Sequence, residues 1–149
     1  VGVDASAQMV RMARAGAFDA ETRGAPPKRF EVGNAETWGG AADCADVVTL
    51  MFALHEMPGE GRRAVLANAL CLARRRVVIV DICLGYMPSP LMLTGEPFML
   101  DYLAHVDEDV RGCAAVAGGW VVRADTEGGG RVAVWVLEKT GASDSLSAG

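Results

Sequence analysis

Three short segments hold most of the residues whose types could do chemistry. The first is Val1-Gly2-Val3-Asp4-Ala5-Ser6, an apolar stretch that ends at an acid. In open α/β sheets, ligands sit at the carboxyl ends of the strands. A carboxylate there can accept hydrogen bonds from both vicinal hydroxyls of a ribose, and Asp4 is the candidate. The same acid would also serve as a helix cap or a surface charge. Ser6 is expected to cap a helix, since its hydroxyl can accept an orphan backbone N–H. The second segment is Gly33-Asn34-Ala35-Glu36. The Asn34 amide oxygen could accept from the exocyclic amine of adenine, and the Ala35 N–H could reach a ring nitrogen. Gly-Asn is equally an ordinary turn pair. The third runs from Asp46 through Met51 and Phe52 to His55-Glu56. Met51 and Phe52 would line a ligand at a strand's end. His55 could act as a general base or orient a substrate, although a histidine at such a bend commonly caps backbone groups. Asp81 is a weaker candidate. A buried acid in an apolar strand needs a partner, and the sequence does not identify one. His105 lies in a polar helical stretch and is expected to be solvated.

Metal chemistry is not expected. His55-Glu56 does not complete an H-E-x-x-H motif, because Gly59 stands where the second histidine would be. Cys44, Cys71, Cys83 and Cys113 contain no C-x-x-C pair. They are expected to be four buried, reduced thiols of an intracellular, cytoplasmic protein.

The elements that must position these residues follow from periodicity. Val1 to Asp4 reads as a strand. A helix runs from near Ser6 to about Ala17, with a loop over Asp19 to Arg29. Phe30 to Val32 is a second strand. The nearly continuous apolar run Asp46 to Phe52 predicts a strand buried on both faces, as in a helix-covered parallel sheet. Pro58 is expected at the first position of a helix with the stripe Val65, Leu66, Ala69, Leu70 and Ala73. Arg74-Arg75-Arg76 is expected to end that helix, where positive charge is favoured. Val77 to Cys83 reads as a strand, Gly85 to Pro97 as an extended crossover, and Leu103 to Ala117 as a helix split near Asp107. Gly118-Gly119 closes it. Trp120 to Ala124 and Val132 to Leu137 form a final hairpin. Strand and helix thus alternate three times before the crossover and hairpin. The fold class is α/β: a Rossmann-like, mostly parallel sheet with a C-terminal antiparallel hairpin. Residues 1–139 are expected to form one partial domain, with 140–149 a disordered tail.

Composition limits the function classes. The chain has 149 residues, 51% apolar and 22% charged, which suits one globular domain and excludes disorder for most of it. No stretch approaches the ~20 apolar residues that a membrane helix needs. A net charge of −5 argues against nucleic acid as a partner. Twelve of the 14 basic residues are arginine, which reads as codon bias before chemistry.

Taken in order, Gly2-Val3-Asp4-Ala5-Ser6 with Met9 and Ala13, Gly33-Asn34-Ala35-Glu36, and Asp46-Val47-Val48 through His55-Glu56 resemble the class I S-adenosylmethionine-dependent methyltransferases of small-molecule type. The resemblance covers most of the chain, because that family inserts its last strand antiparallel. It implies that Asp4 holds the cofactor ribose with Ala5 and Met9 beside it. Asn34, where many members carry Asp, and Ala35 would contact adenine. Met51 and Phe52 would line S-adenosylmethionine, and Tyr86 to Leu103 would help form a lid over a small-molecule methyl acceptor. Transfer would be in line and would need no metal, with His55 the nearest base if the acceptor must lose a proton. The family's first strand and glycine-rich loop lie before the position matched by Val1. The resemblance therefore implies an N-terminally truncated fragment that binds cofactor poorly by itself. Two other classes compete: a non-catalytic, degenerate methyltransferase-like module and an NAD-dependent dehydrogenase. The dehydrogenase would normally show Tyr-x-x-x-Lys, and neither Tyr86 nor Tyr102 has Lys four residues on.

Overall fold

A computed structural model describes residues 1–128 and 130–141. The expected tail lies, from residue 142 onward, outside the described residues. The chain divides into two compact units, Val1–Gly39 and Gly40–Gly149.

In the first unit, β1 (Gly2–Asp4) pairs in parallel with β2 (Phe30–Val32), Asp4 opposite Val32. The connection between them is α1 (Ala7–Thr22), which buries Val10 and Ala17. Ser6 caps it as expected, its hydroxyl accepting from the Met9 N–H at 3.3 Å. The helix continues to Thr22, beyond the expected loop start at Asp19, because nothing in Phe18-Asp19-Ala20-Glu21 breaks it and Gly24 is the first left-handed residue. Arg14 ties α1 to β2 by donating from Nε and Nη2 to the Phe30 carbonyl, at 2.9 and 2.6 Å. No helix joins β2 to the next strand, so strand and helix alternate less regularly than expected.

The second unit holds a four-stranded sheet in the order β3-β4-β6-β5. Its strands are β3 (Ala45–Met51), β4 (Ala73–Ile82), β5 (Trp120–Glu127) and β6 (Val132–Lys139). β3 and β4 are parallel, and β6 runs antiparallel to both neighbours, as the terminal hairpin required. β4 is interior. Its period-2 pattern buries Ala73, Val77, Ile79 and Asp81 on one face. The register sets Val77, Ile79 and Asp81 opposite Leu137, Trp135 and Ala133 of β6, which are also buried.

β3 is not buried on both faces. It is an edge strand of this sheet, and Val47 and Met51 are exposed. A run of apolar residues reports low polarity and does not report whether a neighbour covers it.

A 3-10 turn at Leu54–Glu56 leads to α2 (Gly59–Leu72). Pro58 is the N-cap, one position before its expected place. Val65, Leu66, Ala69 and Leu70 of the expected stripe are buried on α2, whereas Ala73, also buried, is the first residue of β4, because the chain turns extended at the helix end. Arg74, Arg75 and Arg76 lie inside β4 and do not end the helix. Arg74 pairs with Asp46 of β3 and Arg76 with Glu138 of β6, so neighbouring strands supply their counter-charges.

The crossover contains α3 (Pro90–Gly95), with Ser89 as N-cap and Pro90 at its start. α4 (Met99–Ala117) is continuous through Asp107. It packs against α2 around a buried arginine. Arg62, fully buried, donates to Asp109 at 2.7 Å and to Asp101 at 3.0 Å. Gly118 (φ 68°) and Gly119 (φ 72°) end α4 in backbone that favours glycine. No helix among the described residues is long and apolar enough to cross a membrane.

The cysteines are free but are not all buried. Cys83 is buried, Cys113 half-buried, and Cys44 and Cys71 exposed. Cys44 precedes the edge strand and Cys71 lies on the outer side of α2, so apolar character alone did not place them inside.

Candidate functional site

In the first unit, Asp4 closes β1 at its carboxyl end with an exposed side chain. Its Oδ1 accepts from the Ser6 N–H at 2.7 Å, a short loop of chain that points α1 away from the strand. Its carbonyl accepts from the Gly33 N–H at 3.0 Å, which joins the ends of β1 and β2. Oδ2 has no partner among the described residues. Ala5 follows in the same turn, and Met9 stands exposed in the first turn of α1. After β2, Gly33 is packed so closely that a Cβ would lie 2.9 Å from the Trp38 ring. The glycine therefore lets the chain turn tightly there. Asn34 organises that turn. Its carbonyl accepts from Thr37 and Trp38, and its Oδ1 accepts from the Glu36 N–H at 2.9 Å. One lone pair of the expected adenine contact is thus already used. The unit's acid, amide and methionine gather at the carboxyl ends of two parallel strands.

In the second unit, Met51 ends β3 and Phe52 follows in left-handed backbone (φ 51°). Both side chains are about half exposed or more. A bulky residue in that region is uncommon and costs energy. Phe52 is held there by its N–H, which donates to the Val80 carbonyl of β4 at 2.8 Å. The turn that results brings His55 back over the end of β4.

His55 is buried, and its Nδ1 lies 2.6 Å from Oδ1 of Asp81. Asp81 also accepts from the Leu54 N–H at 2.9 Å and the Ile82 N–H at 2.8 Å. With those donors facing it, Asp81 acts as an acceptor toward His55. Nδ1–H then points at Asp81, and Nε2 is the ring nitrogen left open. The Tyr102 ring meets the imidazole edge-on, with centroids 6.0 Å apart. Its hydroxyl donates to the Ile82 carbonyl at 2.6 Å. Burial first, and the Asp81 charge second, push the Tyr102 phenol far above its ordinary pKa, so it stays a neutral donor.

Asp81 is therefore the missing partner of His55, and Tyr102 the wall behind it. Spacing could not pair them, but an acid on the buried face of an apolar strand was the available signal. His105 is exposed, as expected, and contacts Asp101. The crossover gives little enclosure of its own: Met87 and Leu91 are exposed, and Tyr86 donates to the Met92 sulfur at 3.1 Å. Its expected end, Leu103, lies within α4.

No family model matches the chain, and no curated protein matches it. Solved structures do. The magnesium protoporphyrin IX methyltransferase of Synechocystis, with bound S-adenosylmethionine, aligns over 93% of this chain at 19% identity and TM-score 0.64. A SAM-dependent methyltransferase from Methanosarcina mazei aligns over 93% at 10% identity and TM-score 0.64. The (4+2)-cyclase SpnF aligns over 93% at 11% identity and TM-score 0.66. This chain spans 58%, 81% and 65% of those three chains, respectively. At these identities the likeness is one of fold. The fold is the Rossmann-like α/β architecture of class I methyltransferases, as the sequence led us to expect. A cyclase among the matches shows that the fold alone does not fix the chemistry.

Proposed function

We propose that the protein binds S-adenosylmethionine and transfers its methyl group to a small-molecule acceptor. One observation carries the proposal. On a fold shared with an S-adenosylmethionine-bound methyltransferase, Asp4 ends β1 with one carboxylate oxygen tied to the backbone and the other open. That is the arrangement a ribose diol needs at a strand's carboxyl end. Ala5 and Met9 would flank the ribose. Asn34 and Ala35 would take adenine, with the Glu36 N–H sharing the Asn34 oxygen. In the second unit, Met51 and Phe52 would offer apolar contact to a ligand at the end of β3. S-adenosylmethionine brings an electrophilic methyl carbon, so the chain's own task is alignment and exclusion of water. His55, oriented by Asp81, would accept a proton from the acceptor through Nε2.

Crosslinking of tritiated S-adenosylmethionine to the 149-residue chain tests this. Labelling that S-adenosylhomocysteine competes away and NAD leaves unchanged is the expected result. Competition by NAD alone would point to a dehydrogenase. No specific labelling, with Asp4→Ala equal to wild type, would leave the non-catalytic module in its place.

A further inference from the structure

We propose that His55, Glu56 and Glu96 form a binding site for one first-row divalent transition ion such as Zn²⁺. One ligand atom from each of the three residues lies within 4.8 Å of the others. Glu56 adjoins His55 in the 3-10 turn, whereas Glu96 comes from the end of α3, so no motif spacing could reveal the group.

Three features favour a cation over a chance meeting of side chains. First, His55 is buried and its Nδ1 is fixed by Asp81, which leaves Nε2 without a partner among the described residues. A carboxylate behind a histidine is the usual outer support of a metal ligand, because it sets the tautomer and raises the basicity of the ligating nitrogen. Second, two carboxylates meet beside the His55 ring, and neither forms a salt bridge among the described residues. Like charges at that range repel, and a cation between them removes the repulsion. Third, the donor set is right. One imidazole nitrogen with two carboxylates suits a borderline ion better than Mg²⁺, which favours all-oxygen surroundings.

Ligand atoms around tetrahedral Zn²⁺, bonded at about 2.0–2.1 Å, stand roughly 3.3 Å apart. Glu56 is exposed and Glu96 half-buried, so their carboxylates can close that gap by rotation. Three protein ligands leave a fourth position for a water or an acceptor oxygen, the pattern of catalytic zinc sites. The site stands whether or not the protein transfers methyl groups. An ion at Nε2 takes the lone pair that would otherwise receive a proton. In the ion-loaded protein His55 is thus a ligand, and an acceptor hydroxyl would be acidified by the ion.

Equilibrium dialysis of the 149-residue chain against Zn²⁺, with Co²⁺ absorption as a second readout, tests the site. We expect one ion per chain. Glu56→Gln and Glu96→Gln should each weaken binding at least tenfold with circular dichroism unchanged, and Asp81→Asn about 10–100-fold. His55→Ala should abolish binding. If that variant does not fold, the two glutamate variants, which alter accessible side chains, decide alone. Failure to retain Zn²⁺, or binding unchanged in both glutamate variants, would overturn the proposal.

Discussion

Asp81 of β4 holds Nδ1 of His55 at 2.6 Å, and both side chains are buried. The same carboxylate takes the Leu54 and Ile82 N–H groups. One side chain therefore fixes a strand end, a turn and an imidazole together.

Removal of that carboxylate should be costly. Asp81→Ala leaves the Leu54 N–H and the His55 Nδ1–H buried without acceptors. Each buried donor left without an acceptor costs about 1–3 kcal/mol. We expect a urea midpoint lowered accordingly, and a smaller loss for Asp81→Asn, whose amide oxygen still accepts one N–H. An unchanged midpoint in Asp81→Ala would show that the pair holds nothing in place.

Asp4 separates structure from binding. In Asp4→Asn the amide oxygen can keep the Ser6 N–H, but it no longer offers a second acceptor. Stability should stay within ~0.5 kcal/mol of wild type, while crosslinking of labelled S-adenosylmethionine falls about tenfold, or ~1.4 kcal/mol. Ser6→Ala should do the reverse, with loss of the N-cap costing about 1 kcal/mol of stability.

Phe52 occupies left-handed backbone that a glycine would adopt without steric cost. Phe52→Gly should change stability by less than ~1 kcal/mol, since relief of backbone strain offsets lost chain entropy and contact. Phe52→Val should be less stable than Phe52→Gly, because a β-branched residue tolerates positive φ worst. Denaturant melts of the two variants give the comparison. A glycine variant weaker than the valine variant would mean that ring contacts, and not the backbone, govern this position.

Acid stability has a defined sign. The hydrogen bond from Arg111 first, then that from the Trp135 indole, holds the Asp107 carboxyl below its ordinary range against the opposing effect of burial. Arg62 does the same for Asp101. A folded pKa below the unfolded one stabilises the protein above the unfolded pKa. That contribution is lost as pH falls through the folded pKa. Stability should therefore decline below about pH 4. Asp107→Asn should flatten that decline in pH-dependent thermal melts. An identical pH profile would show that Asp107 does not contribute.

Much of the fold was legible because local signals and burial agreed. Ser6 capped a helix and Gly118-Gly119 ended α4, each through interactions within a few residues, and the spacing of the α2 stripe matched the side that the core covers. Where they disagreed, the neighbours decided. Arg74 and Arg76 looked like a helix end but found acids on adjacent strands. The apolar β3 looked interior but lies at a sheet edge.

In each unit, the amino-acid order alone determined which candidate residues stand at or just after strand ends: Asp4 and Asn34 in the first, Met51 and Phe52 in the second. Strand length and turn chemistry are local properties. The pairing of His55 with Asp81, the edge-on Tyr102 and the approach of Glu96 arose only from the tertiary structure. Those contacts join different elements, and the register of β4 and the packing of α4 set them. No spacing within a single element records either one.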